Sequence, residues 1–376
     1  MSRKSDNGSS KASNKSPDVL LTELRVQIEK LDDQILDIIN ERAKVAAQIG
    51  KIKLEQGTEV FVPAREEEVI TRLVGRNKGP LSETTIRAIY REIISGSRAL
   101  QKVIKVAFLG PEYSFSHLAA IERFGQSIEF AQVASISAVF EEVARRHVDY
   151  GVVPLENSTD GRITDTLEMF TRMPQIKICG EVRLRIHHNL LANCTQPEIR
   201  RVYSKPQALA QCRNWLSKNL PNASLHPVNS TADAARLVQM EPTCAAVASR
   251  QAAVRYGIKI LFADIEDHPN NETRFAVIGP QDVAKTGHDK TAIMFKVAHS
   301  PGSLVDALML FKQNKINLTW IESFPARSEK QEYIFFVDFE GHTDDRKVKT
   351  TLNALQAQCE SMTILGSFPA ATLAED

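Results

Sequence analysis

From Leu24 the apolar positions step by four and three through Ile28, Leu31, Ile35 and Ile38, then Val45, Ile49 and Ile52, closing near Gly57. Ser16-Pro17-Asp18 supplies a helix start: a capping hydroxyl, a proline whose missing N–H costs nothing there, and an acid near the positive helix end. At 1.5 Å per residue, about 40 residues make a helix roughly 60 Å long. That is too long to bury its stripe against its own small module, so a partner chain is expected.

The seam is interrupted. Arg42 stands where the stripe calls for an apolar residue, and Arg25 and Lys53 lie one position off it. A buried unpaired cation is costly, so each must run its stem out to solvent or meet a bound anion. A second helix opens at Pro63 and carries Arg65-Glu66-Glu67-Glu68. A third is expected from Ser82 to about Ile104, with the stripe Ile86, Tyr90, Ile93, Ser97, Leu100, Ile104. Ser97 is polar on that seam and Gln101 follows one turn on. Singly, each interruption is explained by a solvated side chain. Together, Arg25, Arg42, Lys53, Glu66, Ser97 and Gln101 describe a polar pocket in a three-helix module, suited to a dianion with a hydroxyl.

Leu24-Arg25, Leu31-Asp32, Glu41-Arg42, Gly50-Lys51-Ile52-Lys53, Arg65-Glu66-Glu67 and Ser97 with Gln101 resemble the all-helical chorismate mutase family over residues 18–104. The resemblance implies an all-α module at 17–104 and two intertwined chains, each site taking Arg25 from the neighbour. It implies that Arg25 and Arg42 hold two carboxylates, that Lys53 and Gln101 reach the ether oxygen, and that Glu66 takes the ring hydroxyl. Ser97 joins this catalytic set and Arg65 the substrate contacts. A [3,3] rearrangement needs no nucleophile, only a compact conformer and charge stabilisation at the breaking ether. Val62 stands before Pro63 where members commonly carry an acid, so a reduced mutase rate is expected.

Near Lys105 the helical pattern gives way to Val103–Leu109, a short apolar run ending in Gly110-Pro111. Strand-like runs at Gly151–Leu155, Ile176–Gly180, Arg200–Tyr203 and Ala245–Ala248 alternate with helical stretches such as Ala138–His147 and Ala208–Leu220, which predicts α/β architecture. Polar clusters at Leu155–Gly161, Tyr203–Gln207, Asn229–Ala232 and Asn270–Phe275 each read alone as turns or caps. In this order, and with Gly110-Pro111-Glu112-Tyr113-Ser114-Phe115-Ser116 opening the domain, they resemble prephenate dehydratase over 105–282. The resemblance implies two α/β lobes, like type 2 periplasmic binding proteins, with the site in the cleft between them. Thr273 would donate to the departing hydroxyl and Arg274 would anchor a carboxylate. Glu156, Asn157, Ser158, Ser204, Gln207, Ser230, Thr231 and Phe275 would contact substrate. His187-His188 continue an alternation from Arg183 and Arg185 that fits an exposed strand with a structural role.

After the polar stretch 281–290, strands and helices follow in the order βαββαβ. Glycine at a helix start suits close approach of a carboxylate to free backbone N–H groups. Pro301-Gly302-Ser303-Leu304-Val305 and Ile321-Glu322-Ser323-Phe324-Pro325 resemble the two phenylalanine-sensing motifs of ACT domains over about 290–370. The resemblance implies an α+β regulatory domain that binds phenylalanine between paired copies. Phe324 stands where the second motif usually carries arginine.

Five cysteines without a CxxC pair read as free thiols in a reducing cytosol, and no metal is expected. A net charge of +1 offers no broad basic surface for nucleic acid. Residues 1–16 read as a disordered tail with no apolar h-region, and no stretch is long and apolar enough for a membrane span, so a cytoplasmic protein is expected. No Gly-rich phosphate loop or dinucleotide fingerprint occurs, and no cofactor is expected.

The three resemblances join in one reading: chorismate to prephenate to phenylpyruvate under phenylalanine inhibition, in a homodimer or homotetramer. An arogenate-preferring dehydratase and a non-catalytic small-molecule sensor are the rivals. Thr273-Arg274-Phe275 and the mutase cations argue against the sensor.

Overall fold

The computed structural model describes residues 16–57, 61–326, 332–371 and 373–374. The expected N-terminal tail, apart from Ser16, lies outside the described residues.

Helix α1 (Pro17–Glu55) starts as its sequence requires, with the Ser16 side chain accepting from Val19 N–H and Pro17 in the first turn. Helices α2 (Pro63–Arg76) and α3 (Glu83–Ala99) complete the helical module, α3 being capped by Ser82. Gly50 is the buried residue of α1, and a Cβ there would come within 2.4 Å of Gln101. The missing side chain is what lets α1 close on the end of α3. Helix α3 stops at Ala99, short of the expected Ile104. Ile104 is needed elsewhere: it is buried with Val106, Leu118 and Phe61 under the next domain's sheet, and the chain leaves the helix axis to deliver it.

The first α/β lobe runs through β1 (Lys105–Leu109), α4 (Phe115–Phe124), β2 (Glu129–Val133), α5 (Ile136–Ala144), β3 (Tyr150–Asn157), β4 (Gly161–Arg162), α6 (Thr164–Arg172) and β5 (Lys177–Arg185). The chain then crosses to a second lobe of β6 (Asn189–Ala192), β7 (Arg201–Ser204), α7 (Pro206–Gln211), α8 (Arg213–Asn219), β8 (Ser224–Pro227), α9 (Thr231–Val238), β9 (Cys244–Ala248), α10 (Arg250–Tyr256) and β10 (Ile260–Phe262). It returns to the first lobe as β11 (Glu272–Gly279), which lies antiparallel between β3 and β5. The second-lobe sheet has the order β10-β6-β9-β7-β8.

Two expectations change here. The helix expected over Ala208–Leu220 is broken at Cys212, because the Asp267 carboxylate receives the N–H groups of Asn214 and Trp215 and starts α8 afresh. His187 and His188 are not on an exposed strand; they form the crossing between lobes. There Ile265 N–H donates to His188 O at 2.7 Å, and Glu266 takes His188 N–H at 2.9 Å and meets His187 Nδ1 at 2.7 Å. The two crossing segments are thus bonded to each other.

The C-terminal unit runs β12 (Asp289–Lys296), α11 (Ser303–Gln313), β13 (Leu318–Pro325), β14 (Tyr333–Glu340), α12 (Arg346–Gln358), β15 (Ser361–Pro369), with sheet order β13-β14-β12-β15. One sheet face carries the helices, packing Phe311, Leu352 and Leu355 on Ile293, Phe295 and Val337. The other face shares one core with the first lobe, where Phe324, Phe336, Leu365 and Phe368 meet Phe140, Phe170 and Val153. The last described strand, β16 (Leu373–Ala374), returns to pair with β5 at the edge of the first-lobe sheet, whose path is β16-β5-β11-β3-β1-β2 with β4 on β3. The five cysteines are free thiols. No described helix is long and apolar enough to cross a membrane.

Candidate active sites

On the α1–α3 seam, Arg42 Nη1 donates to Ser97 Oγ at 2.8 Å, Ser97 Oγ donates to Ile93 O at 2.7 Å, and Gln101 lies against Gly50. Lys53 projects from the same helix, half-buried, three turns beyond Arg42. Glu66 lies on α2, where its carboxylate is paired with the buried Arg98 at 2.6 Å, and Arg98 also donates to Phe124 O of the next domain. Arg65 points away, exposed, in a surface pair with Glu68. Arg25 is exposed and 17 residues before Arg42, about 25 Å along a straight helix. One chain therefore brings Arg42, Ser97 and Gln101 together and leaves Arg25 far outside. Val62 caps α2 with no side-chain bond.

The cleft between the α/β lobes is organised by Asn157 at the end of β3. Its Oδ1 accepts the N–H groups of Thr159 and Asp160 at 2.9 and 3.0 Å, closing an Asx turn that fixes which way the amide faces. Its Nδ2 therefore points to β11 and donates to Thr273 Oγ1 at 2.8 Å and Asn271 Oδ1 at 3.0 Å. Thr273, 9% exposed, accepts that bond, which leaves its own O–H proton to be donated elsewhere. Ser158 ties the turn to the returning segment through Asn270 O and Glu272 N–H. From the second lobe, Ser204 Oγ donates to Val247 O, Ser230 caps α9 through Asp233 N–H with Thr231 buried beside it, and Gln207 is exposed on α7.

Four residues outside the expected set bind the lobes together. Gln211 Oε1 accepts from Asn271 Nδ2 at 2.9 Å and from His188 Nε2 at 2.8 Å, while Gln211 Nε2 donates to Asp160 Oδ2 at 3.1 Å. With an amide oxygen as its partner, His188 Nε2 must carry the proton. Burial lowers the His188 pKa and favours the neutral ring. The sequence signal was present in the two adjacent amides Asn270-Asn271, but Gln211 lies in a helix that gives none. His187, Asp264 and Glu266 place their ligand atoms within 4.8 Å of one another and could hold a cation; Glu266 is already engaged by both histidines.

Arg274, Glu156 and Phe275 do not enter the cleft as expected. Successive strand residues face opposite sides, so Arg274 points away from Thr273, toward the C-terminal unit. Its Nε donates to Glu181 Oε2 at 2.6 Å, its Nη2 pairs with Asp338, and its guanidinium lies over the Trp320 ring. Lys290 adds a second cation to Glu181 at 2.9 Å. Burial works against the Glu181 carboxylate, yet Arg274 and Lys290 hold its pKa below the ordinary value. Glu156, directly across from Arg274 in the β3–β11 ladder, shares that side; burial raises its pKa, against the pull of Arg274. Phe275 is buried in the first-lobe core with Phe124 and Val152.

In the C-terminal unit, Gly302 caps α11 at φ +90°, followed by half-buried Ser303 and Leu304 and an exposed Val305; Pro301 is exposed. Of the second motif, Ile321, Ser323 and Pro325 are exposed. Glu322 pairs with Arg162 at 3.1 Å, and Arg162 also bonds Ser323 O. Phe324 is turned the other way, into the core shared with the first lobe.

A chorismate mutase type II family model matches residues 24–102 and a prephenate dehydratase model residues 106–283. The chain is 43% identical over 360 residues to the bifunctional chorismate mutase/prephenate dehydratase of Stutzerimonas stutzeri, covering 94% of this chain and 98% of that protein. Against the one from Aquifex aeolicus the identity is again 43% over 360 residues, covering 94% and 99%. The solved prephenate dehydratase of Arthrobacter aurescens in complex with L-Phe superposes with a TM-score of 0.65 at 28% identity, covering 72% of this chain and 93% of that one. Helical seam and two-lobed cleft thus each match a catalytic family, in the order and over nearly the whole length found in these relatives, and the chain belongs to the bifunctional chorismate mutase/prephenate dehydratases.

Proposed function

We propose that the helical module rearranges chorismate to prephenate, that the cleft converts prephenate to phenylpyruvate, and that a C-terminal ACT domain lets phenylalanine restrain the flux. In the second step the bond from the ring to its carboxylate breaks, CO2 leaves, the electron pair enters the ring, and the ring C–OH bond breaks. The departing hydroxide takes a proton and aromaticity drives the step. What the protein must supply is a positioned donor at that hydroxyl.

The observation that carries this reading is the fixed direction of Asn157. Because its amide is locked by two backbone N–H groups, Thr273 is an acceptor toward Asn157 and a donor toward the cleft. Thr273→Ala, assayed with prephenate and separately with chorismate, is expected to lose dehydratase turnover and keep mutase turnover. Equal loss of both overturns the assignment. Offering arogenate to the same preparation separates the two dehydratase substrates: faster turnover of arogenate would replace the prephenate reading.

The mutase site is proposed to form between two chains, with Arg25 of one completing the Arg42 pocket of the other. Support comes from α1, where fourteen large apolar side chains, from Val19 to Leu54, are exposed. Patches of that extent mark interfaces rather than ordinary surface. For the C-terminal unit, the exposed Gly302 turn and the exposed side of β13 are the proposed phenylalanine contacts, with Arg162 joining that strand to the dehydratase. Titration calorimetry should register heat with phenylalanine; no heat with phenylalanine and none with tyrosine would remove the sensor role.

A further inference from the structure

A cavity of about 130 Å³ lies where three parts of the chain meet: α2 and α3 of the helical module, α4 and β5 of the first lobe, and the C-terminal stretch through Pro369, Ala371 and Ala374. Neither Arg42 nor Thr273 lines it. Four arginines do, and three of them are matched. Arg87 pairs with Glu67 at 2.9 Å, Arg98 with Glu66 at 2.6 Å, and Arg91 with Glu122. The fourth is Arg123 of α4. Among the described residues it forms no ion pair and no hydrogen bond. Its guanidinium lies over the Phe61 ring, 5.2 Å from the centroid, a contact that satisfies none of its N–H donors.

Holding a cation this way is costly. Burial lowers the Arg123 pKa, and Glu66 offsets that only from beyond ion-pair distance. A purely structural arginine would be met by a carboxylate, as its three neighbours are. The wall is short of acceptors in other places too: the buried Nε–H groups of Arg91 and Arg98 find none. A carboxylate offers two oxygens in the geometry of a guanidinium edge. Ile70, Ile94, Val182 and Pro369 make other parts of the wall apolar, which suits a hydrocarbon body. Glu66, Glu67 and Glu122 stand around the free cation and would repel a second negative charge. A cavity of about 150 Å³ is enough for benzene, which sets the scale of the ligand.

We propose that this junction is a binding site for a small monocarboxylate with an apolar body, about the size of benzoate, whose carboxylate pairs with Arg123. The same charge argument disfavours the dianionic substrates, so the site is not a second place for either of them. A bound ligand would touch the helical module, the first lobe and the C-terminal stretch at once.

The test uses the full chain, with benzoate as the probe. Binding is read by titration calorimetry and by the rise in Tm that a ligand of the folded state produces, against sodium chloride at equal ionic strength. Wild type should bind benzoate. Benzyl alcohol, which lacks the charge, and isophthalate, which doubles it, should each bind at least about tenfold more weakly. Arg123→Leu should weaken benzoate by about tenfold or more, and Arg123→Lys, which keeps the charge but not the fork, should fall in between. Without benzoate, mutase and dehydratase turnover of both variants should stay at the wild-type level. No heat and no Tm shift with wild type overturns the proposal. Unchanged benzoate affinity in Arg123→Leu places the binding elsewhere and overturns it as well. If Arg123→Leu fails to fold, Arg123→Lys decides by the same criterion. Benzyl alcohol binding as tightly as benzoate to wild type would overturn the pairing with Arg123 without any variant.

Discussion

The helical module and the two-lobed cleft solve the same problem, holding a small dianion, in opposite ways. In the cleft, one chain supplies the whole frame: Asn157 fixes Thr273, and Gln211 reaches across to Asp160, Asn271 and His188. In the helical module one chain supplies part of a site and a long uncovered seam, with Arg25 far from Arg42. The contrast is one of closure. A two-lobed fold frames its cleft from one chain, whereas the long helix leaves its seam uncovered, which is why a second copy is proposed to close it.

Thr273→Ala should give the largest effect, a dehydratase loss of about a hundredfold or more, typical of deleting a donor to a developing negative charge. Because the cleft is self-contained, mutase turnover in the same sample should stay unchanged, and a joint loss would mean the two regions are not independent.

Next in size is a complementation experiment that only a shared site can pass. Arg25→Ala and Arg42→Ala should each be nearly inactive as mutases, yet a refolded equal mixture should regain about a quarter of wild-type activity, since half of the pairs are mixed and each has one intact site. No recovery in a mixture that has exchanged chains would place the whole mutase site within one chain and dissolve the contrast. The same mixture should show full dehydratase activity throughout.

The smallest expected change is at Val62, which caps α2 without a side-chain bond. Val62→Asp supplies both a cap, worth about 1 kcal/mol, and the acid that the sequence resemblance leads one to expect before Pro63. The mutase rate should rise a few-fold with the dehydratase rate untouched; a variant no faster would show that the missing acid does not limit this site.

How much of this was legible in the sequence depended on the distance over which the decision is made. The start and register of α1 are set within a few residues of Ser16 and were readable from them. Thr273 stands out as a residue type in a motif, and the structure bonds it to Asn157. The direction of its neighbour was not readable: Arg274 is steered by Asp338, 64 positions later, and nothing near Arg274 announces a carboxylate behind the sheet. The break at Cys212 likewise depends on Asp267, and the fate of His187-His188 on Glu266. Glu66 was correctly placed on the helical module, but its partner Arg98 lies in another helix. Local pattern fixes elements; which of two faces a residue serves is decided by what comes to cover it.

The core shared by the first lobe and the C-terminal sheet has a consequence for how such a chain can be cut or inherited. Phe324, Phe336, Leu365 and Phe368 fill the same interior as Phe140 and Phe170, so a chain cut just before Asp289 would bare that face of the first lobe and leave Arg274 without Asp338 and Glu181 without Lys290. The helical module is joined to the dehydratase by Phe61 and Ile104 in a common core and by bonds from Arg91, Arg98 and Lys102 of α3 and its end; it is the piece that recombination could detach and replace.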